Sequence, residues 1–233
     1  MRSTEFLDLY KQLEDELEIK YSHGKRRYSS VIFEYINSEE SSPIREKLDL
    51  CREIRNLMTH NADVGGVPVV EPSAPVVEAL REVLAYVRRP PLALDFATPS
   101  GKICSAGLSD GILRVMADME KRGLSHIPIL ERGKFIGVFS VSTVFSCVLH
   151  DPDVKITEKT TVRDLARLLP PENHIDNFAF VDRKITSLEA RKMFEKIKSR
   201  NRRLSVLFIT EHGRREEALL GMLTPWDLMK EEQ

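Results

Sequence analysis

Thr224 and Asp227 place a hydroxyl and a carboxylate three residues apart, directly after a short apolar segment that contains Gly221. The pattern predicts a strand that ends at Thr224 and a helix that begins after it. The first turn of a helix has unsatisfied N–H groups and the positive end of the helix dipole. A hydroxyl at that position can bind a phosphate or a sugar, and a carboxylate can accept hydrogen bonds from both hydroxyls of a ribose. The pair therefore predicts a site for a phosphorylated sugar.

The same two residues also have a purely structural interpretation. Thr224 is a suitable N-cap, and Asp227 stands at the third helical position, where an acidic side chain can reach back to the cap. This arrangement stabilises a helix with or without a ligand. Spacing alone leaves both interpretations open.

An earlier segment repeats the pattern with one change. Gly137, Ser140 and Thr143 stand at the positions of the glycine, the hydroxyl and the aspartate. Thr143 has no charge and a single oxygen, so it can hold the edge of a ribose only weakly. We expect this earlier junction, in the first copy of the pattern, to be empty or to accept a different ligand.

The elements that position these residues occur twice in the same order: strand, helix, strand, strand, helix. In the first copy the pattern predicts a strand at Ile103–Cys104, a helix capped by Ser109, a hairpin of 126–130 and 135–140, and a helix over 142–149. In the second copy it predicts a strand at 179–181, a helix over 187–199, strands at 204–210 and 218–223, and a helix over 225–231. An internal repeat of this length indicates two related modules.

Both copies resemble CBS repeats. The first copy reads SHIPIL, a turn, then FIGVFSVSTVF, and the second reads RLSVLFIT, a turn, then LLGMLTPWDLM. The resemblance covers about the last 60% of the chain and implies a tandem CBS pair, or Bateman module, of β-α-β-β-α repeats. We place repeat one at about residues 95–150 and repeat two at about residues 160–232.

The resemblance also implies a regulatory ligand and the walls of its cleft. CBS pairs bind adenosine nucleotides such as AMP, ADP or ATP, and the threonine and aspartate that match Thr224 and Asp227 hold the phosphate and ribose. The implied wall residues are Ala179, Phe180, Ser205, Val206 and Leu207 in repeat two and Ile103, Cys104, His126, Ile127 and Pro128 in repeat one. Arg203 precedes a strand, where its guanidinium could reach a phosphate or remain in a solvated loop. His126 could equally be a core histidine.

The first 89 residues differ from the rest, because four amphipathic helices are predicted and the double proline Pro90–Pro91 then ends the last of them. We therefore predict an α+β chain, with a helical bundle at 1–89 followed by the CBS pair at 90–233.

Arg55, Asn56 and His60 at the end of the third predicted helix resemble the motif of HEPN domains. Many of these small helical bundles are ribonucleases, in which the arginine and histidine of two protomers face each other across a dimer cleft. The resemblance implies metal-independent RNA cleavage, with Asn56 orienting the histidine. Alternatively, these residues form an ordinary helix end. Arg55 and His60 are also about 140° apart around a helix, so they do not automatically share a face.

Composition excludes several other classes of protein. The formal net charge is −1 in 233 residues, which gives no global attraction to nucleic acid or membrane surfaces. The three cysteines and six histidines form no metal-ligand spacing, so we predict no metal and no required cofactor. The beginning, MRSTEFLDLY, is not typical of a signal peptide, and no apolar run approaches the ~20 residues of a membrane span. We expect a cytoplasmic protein.

Three functions remain open. The first is a nucleotide-binding regulatory sensor, and the second is a ribonuclease gated by a nucleotide. Both need a dimer, which CBS pairs commonly form. The third is an assembly module whose clefts bind nothing.

Overall fold

The computed structural model describes residues 2–21, 30–60, 70–150, 155–174, 176–196 and 204–229. The chain divides into two compact units, Met1–Pro91 and Leu92–Gln233. The division lies two residues after the predicted boundary at residue 89.

The described residues of the first unit form helices joined by short connecting segments. Its α-helices are α1 (Arg2–Tyr21), α2 (Val31–Ile36), α3 (Arg45–His60) and α4 (Ala74–Arg88). Apolar residues recur at helical spacing, so each helix turns one apolar face inward. The buried core is formed by Phe6, Tyr10, Leu13, Leu17, Val31, Ile32, Tyr35, Ile36, Ile44, Leu48, Cys51, Val77, Leu80, Val83, Leu84 and Val87.

The second unit mixes strands and helices. Its strands are β1 (Thr98–Pro99), β2 (His126–Glu131), β3 (Lys134–Ser140), β4 (Asn177–Asp182), β5 (Leu204–Thr210) and β6 (Gly221–Leu223). Its α-helices are α5 (Ala93–Phe96), α6 (Ile112–Arg122), α7 (Val141–His150), α8 (Ser187–Glu195) and α9 (Pro225–Met229). The predicted fold class, a helical region followed by an α+β repeat region, is confirmed. No helix in the described ranges is long and apolar enough to cross a membrane.

The strands form one four-stranded sheet and one hairpin. The order in the larger sheet is β1-β6-β5-β4, with β4 parallel to β5 and the other pairs antiparallel. The hairpin is β2-β3. Since β1 lies at the start of repeat one but pairs with β6 of repeat two, the repeats are interleaved.

The interleaving is reciprocal. The leading segment of repeat two crosses to repeat one, where the Leu169 carbonyl accepts a hydrogen bond from the Val138 N–H at 2.9 Å. This approach leaves no room for a side chain on Gly137, because an added Cβ would lie 2.3 Å from the Leu169 carbonyl oxygen. Gly221 has a milder restriction, with side-chain atoms of Ala97 and Leu94 at 3.0 Å. Each glycine therefore permits the other repeat's leading segment to pack against its strand.

The predicted strand at Ile103–Cys104 is wrong. In place of that strand, the structure has an isolated parallel bridge between Ala106 and Ile129, in which the Ala106 N–H donates to the Pro128 carbonyl and the Leu130 N–H donates to the Ala106 carbonyl. Extending this ladder toward Cys104 would need the next donor two residues before Leu130, at Pro128. Proline has no N–H, so the ladder stops.

The predicted cap at Ser109 is also wrong, because α6 begins after Gly111. The Asp110 carboxylate accepts a hydrogen bond from the Gly107 N–H at 2.7 Å and forms a turn before the helix. The first helical N–H, that of Ile112, then donates to the carbonyl of Thr160 from the crossing segment at 2.9 Å. A long-range backbone hydrogen bond thus satisfies an N–H at the start of α6, where a side-chain cap from Ser109 was expected.

Candidate functional site

Thr224 and Asp227 are hydrogen-bonded to each other at the β6–α9 junction. The Thr224 backbone N–H and hydroxyl both donate to Asp227 Oδ2, at 2.9 and 2.8 Å. The structural interpretation is therefore correct as far as the helix start is concerned. The same contacts hold a carboxylate and a hydroxyl in fixed positions at the end of the strand, which a ligand site requires.

A cavity of about 550 Å³ adjoins this junction. Its lining residues are Gly123, Leu124, Ser125, His126, Leu204, Ser205, Met222, Thr224, Pro225 and Trp226. The lining comes from both repeats and combines apolar side chains with hydroxyls and a histidine. Cavities of this size and mixed character are typical of small-molecule sites.

Three of the predicted binding residues line the cavity together: Thr224, Ser205 and His126. Asp227 is hydrogen-bonded to Thr224 but is not itself among the lining residues. Sequence reasoning missed Trp226, although it is the single tryptophan of the chain and is 73% exposed beside Thr224. An exposed aromatic next to a predicted ligand contact was the available signal, because aromatic rings stack well on nucleobases.

The other predicted wall residues lie mostly in hydrophobic cores. Val206, Leu207, Ile127 and Pro128 are buried in their strands. Ala179, Ile103 and Cys104 are half-buried and pack against core clusters. These side chains do not line the cavity beside Thr224, and a ligand role for them stays a prediction.

Phe180 belongs to an aromatic cluster. Its ring centroid is 5.4 Å from that of Phe208 and 5.0 Å from that of Phe135, in repeat one. The cluster joins the two repeats and gives Phe180 a packing role. Arg203 lies outside the described residues, so its predicted contact with phosphate stays a prediction.

The β3–α7 junction of repeat one has the equivalent local geometry with different groups. Ser140 is equivalent to Thr224, since each directly precedes the first residue of the following helix, and Thr143 is equivalent to Asp227, three residues further on. The Thr143 hydroxyl accepts the Ser140 N–H at 3.0 Å. Thr143 therefore caps α7 as Asp227 caps α9, but it supplies no negative charge.

The negative charge at this junction comes from Asp176, a residue that sequence reasoning did not single out. Its Oδ2 accepts hydrogen bonds from the hydroxyls of Ser142 at 2.6 Å and Ser140 at 3.3 Å, and it lies 3.3 Å from His126 Nε2. The hydrogen bond with His126 and those from the serines outweigh burial and lower the pKa of Asp176 to about 2. A carboxylate that is ionised at neutral pH thus occupies the first junction.

In the helical unit, Arg55 has partners within its own bundle. Its guanidinium lies 5.5 Å from the ring centroid of Tyr10 and its Nη2 lies 3.7 Å from Glu14 Oε1. Asn56 is half-buried on the same helix, and its carbonyl accepts the Thr59 hydroxyl at 3.4 Å. His60 ends α3, and its side chain lies outside the described residues. The described contacts give Arg55 a packing role, and the predicted Arg55–Asn56–His60 site stays a prediction.

Comparison with known proteins bears on the second unit. The family model for the CBS domain matches residues 102–150. No curated protein sequence matches the chain.

Solved structures with a similar outline include a CBS domain of a putative transporter from Clostridium difficile 630 (13% identity, 61% of this chain and 93% of that chain, TM-score 0.43). Another is CBSX2 in complex with AMP (15% identity, 61% of this chain and 96% of that chain, TM-score 0.44). A third is a putative acetoin utilization protein from Vibrio cholerae (14% identity, 60% of this chain and 89% of that chain, TM-score 0.45). These likenesses are distant, and the family match carries the assignment. The chain therefore contains a CBS domain, which spans residues 102–150 of the α+β unit.

Proposed function

We propose that the protein is a cytoplasmic regulatory protein that binds an adenosine nucleotide (AMP, ADP or ATP) beside the β6–α9 junction. The observation that carries the proposal is the cavity of about 550 Å³ next to the ordered Thr224–Asp227 pair. A carboxylate suits the two hydroxyls of a ribose, and hydroxyls suit a phosphate.

The remaining lining supports the same ligand class. Leu204, Met222 and Trp226 offer apolar surface to a base, while Ser125 and Ser205 offer hydroxyls. A flat base between apolar walls with few polar contacts is a common mode of nucleotide binding. Because the lining comes from both repeats, a bound nucleotide would favour one arrangement of the repeats over another, which is what a sensor needs.

Thermal unfolding with AMP, ADP, ATP and S-adenosylmethionine tests the proposal. A ligand at 100 times its Kd stabilises the folded state by about 2.7 kcal/mol. We expect at least one of these adenosine compounds to raise the melting temperature by several degrees. If none does, the binding proposal is wrong.

We further propose that the protein is a homodimer that associates through α7. Val141, Phe145, Val148 and Leu149 follow one helical face and are each more than 60% exposed. An apolar groove of about 500 Å³ runs beside this face and is lined by residues that include Met116, Met119 and Phe145. Exposing an apolar helix face of this size to water is unfavourable. A two-fold contact would bury this face of each protomer in the groove of its partner.

Phe145→Glu should convert the dimer to a monomer, because the contact would bury an unpaired charge. Light scattering coupled to size-exclusion chromatography measures the mass. The matched control is Phe33→Glu, since Phe33 is 51% exposed on a helix of the other unit and the change should leave the mass unaltered. A monomeric wild type, or a Phe145→Glu variant that stays dimeric, contradicts this interface.

RNA cleavage by the helical unit is the second function that the sequence predicts. It is tested by incubating the protein with single-stranded RNA, with and without AMP. The prediction is that His60→Ala removes the cleavage, since the histidine would act on the ribose 2′-OH or the leaving oxygen. Equal cleavage by wild type and variant assigns the activity to a contaminant.

A further inference from the structure

The two strand–helix junctions differ in how each obtains a carboxylate. At the β6–α9 junction the carboxylate is Asp227, within the helix that it caps. At the β3–α7 junction the helix position is occupied by Thr143, and the carboxylate of Asp176 arrives from a segment 34 residues beyond Ser142. Asp176 contacts the hydroxyls of Ser140 and Ser142, which would otherwise face a ligand at this junction.

The surroundings of Asp176 are those of a bound anion. Two hydroxyls donate to one carboxylate oxygen, and a histidine nitrogen lies within 3.3 Å of the same oxygen. The α7 N-terminus lies at the same place, because Ser142 is the second residue of that ten-residue helix. Hydroxyls, a histidine and a helix N-terminus are also the groups that proteins use to bind phosphate.

We propose that Asp176 acts as an intramolecular anion that fills the first junction, so that the CBS pair binds one nucleotide per chain, at the second repeat. The inference rests on the proposed function for the position and class of the open site. A phosphate at the first junction would have to displace the carboxylate from its donors and would otherwise face a like charge at close range.

The low pKa of Asp176 supports this interpretation. The largest cause is the hydrogen bond with His126, and the hydrogen bonds from the serine hydroxyls also lower the pKa, whereas burial raises it. The carboxylate is thus stabilised as an anion by the same groups that would hold a phosphate. With a pKa of about 2, Asp176 is ionised at neutral pH.

Isothermal titration with AMP tests the proposal through the stoichiometry. Wild type should bind one AMP per chain. Asp176→Ala and Asp176→Ser should each bind two, because both remove the charge and open the space while Ser140, Ser142 and His126 remain. The control is Asp164→Ala, since Asp164 also caps a helix start, through Thr161 at 2.8 Å, but is not part of the junction; it should bind one AMP.

A second set of variants separates this inference from the proposed function. In an Asp227→Ala background the second-repeat site is weakened, and adding Asp176→Ala should strengthen AMP binding at least tenfold over Asp227→Ala alone. If the folded Asp176→Ala and Asp176→Ser proteins bind no more AMP than wild type, the inference is overturned. If instead wild type binds no AMP but Asp176→Ala/Asp227→Ala does, the second-repeat proposal fails and the filled first junction stands. Circular dichroism establishes that each variant is folded.

Discussion

Asp227→Ala should weaken AMP binding by about ten- to a hundredfold, because a charged hydrogen-bond partner of the ribose contributes about 1.5–3 kcal/mol. The change also removes the acceptor of the Thr224 N–H and hydroxyl, so the variant loses about 1 kcal/mol of stability without any ligand. The informative quantity is therefore the shift in melting temperature between the AMP-bound and AMP-free forms of the same variant. At an AMP concentration of 100 times the wild-type Kd, that shift should fall by about half or more.

Glu189 provides a matched control for the lost cap. The Thr186 N–H and hydroxyl donate to Glu189 Oε2 at 2.9 and 2.8 Å, the same distances as in the Thr224–Asp227 pair. Glu189→Ala removes an equivalent cap on α8, outside the cavity lining, and should keep the full AMP-dependent shift. If the Asp227→Ala and Glu189→Ala variants bind AMP with equal affinity, Asp227 only caps α9 and does not contact the ligand.

Gly137→Ala should be among the most destabilising single changes in the α+β unit, with an expected loss of about 3 kcal/mol or more. A Cβ on Gly137 would lie 2.3 Å from the carbonyl oxygen and 2.6 Å from the carbonyl carbon of Leu169. Backbone cannot rotate away as a side chain can, so the crossing segment must move and lose its hydrogen bond with Val138. Urea unfolding followed by circular dichroism measures the change.

Two other glycines calibrate that result. Gly101 has no atom within 4 Å of an added Cβ, so Gly101→Ala should change stability by less than about 1 kcal/mol. Gly221→Ala should lie between the two, because its nearest neighbours are at 3.0 Å rather than 2.3 Å, and one of them, Leu94 Cδ1, can rotate away, whereas Ala97 Cβ moves only with its backbone. A Gly137→Ala variant as stable as Gly101→Ala would contradict the packing of Leu169 across repeat one.

Features that depend on neighbours in the chain could be predicted from the sequence. The repeat order and the Thr224–Asp227 pair are local, since residues three apart in a helix's first turn meet whatever the tertiary structure is. The end of α6 at Gly123 is also a local feature. Gly123 has a φ of 65°, and the left-handed conformation that commonly ends a helix favours glycine. The helical character of the first unit follows from the spacing of its apolar residues.

The tertiary structure alone decided which groups surround each junction. Asp176 meets Ser142 across 34 residues, and Leu169 meets Gly137 across 32, because each repeat sends its leading segment onto the other. No periodicity encodes a contact of that range. Pro128 is a further example of a long-range effect. It ends the hydrogen-bond ladder near Cys104 because Ala106 pairs with Ile129, and that register is set by the tertiary structure. The sequence thus determined the existence of two repeats and the Thr224–Asp227 cap. The interleaving, through long-range backbone hydrogen bonds and packing, decided that one junction takes its carboxylate from its own helix and the other from the leading segment of repeat two.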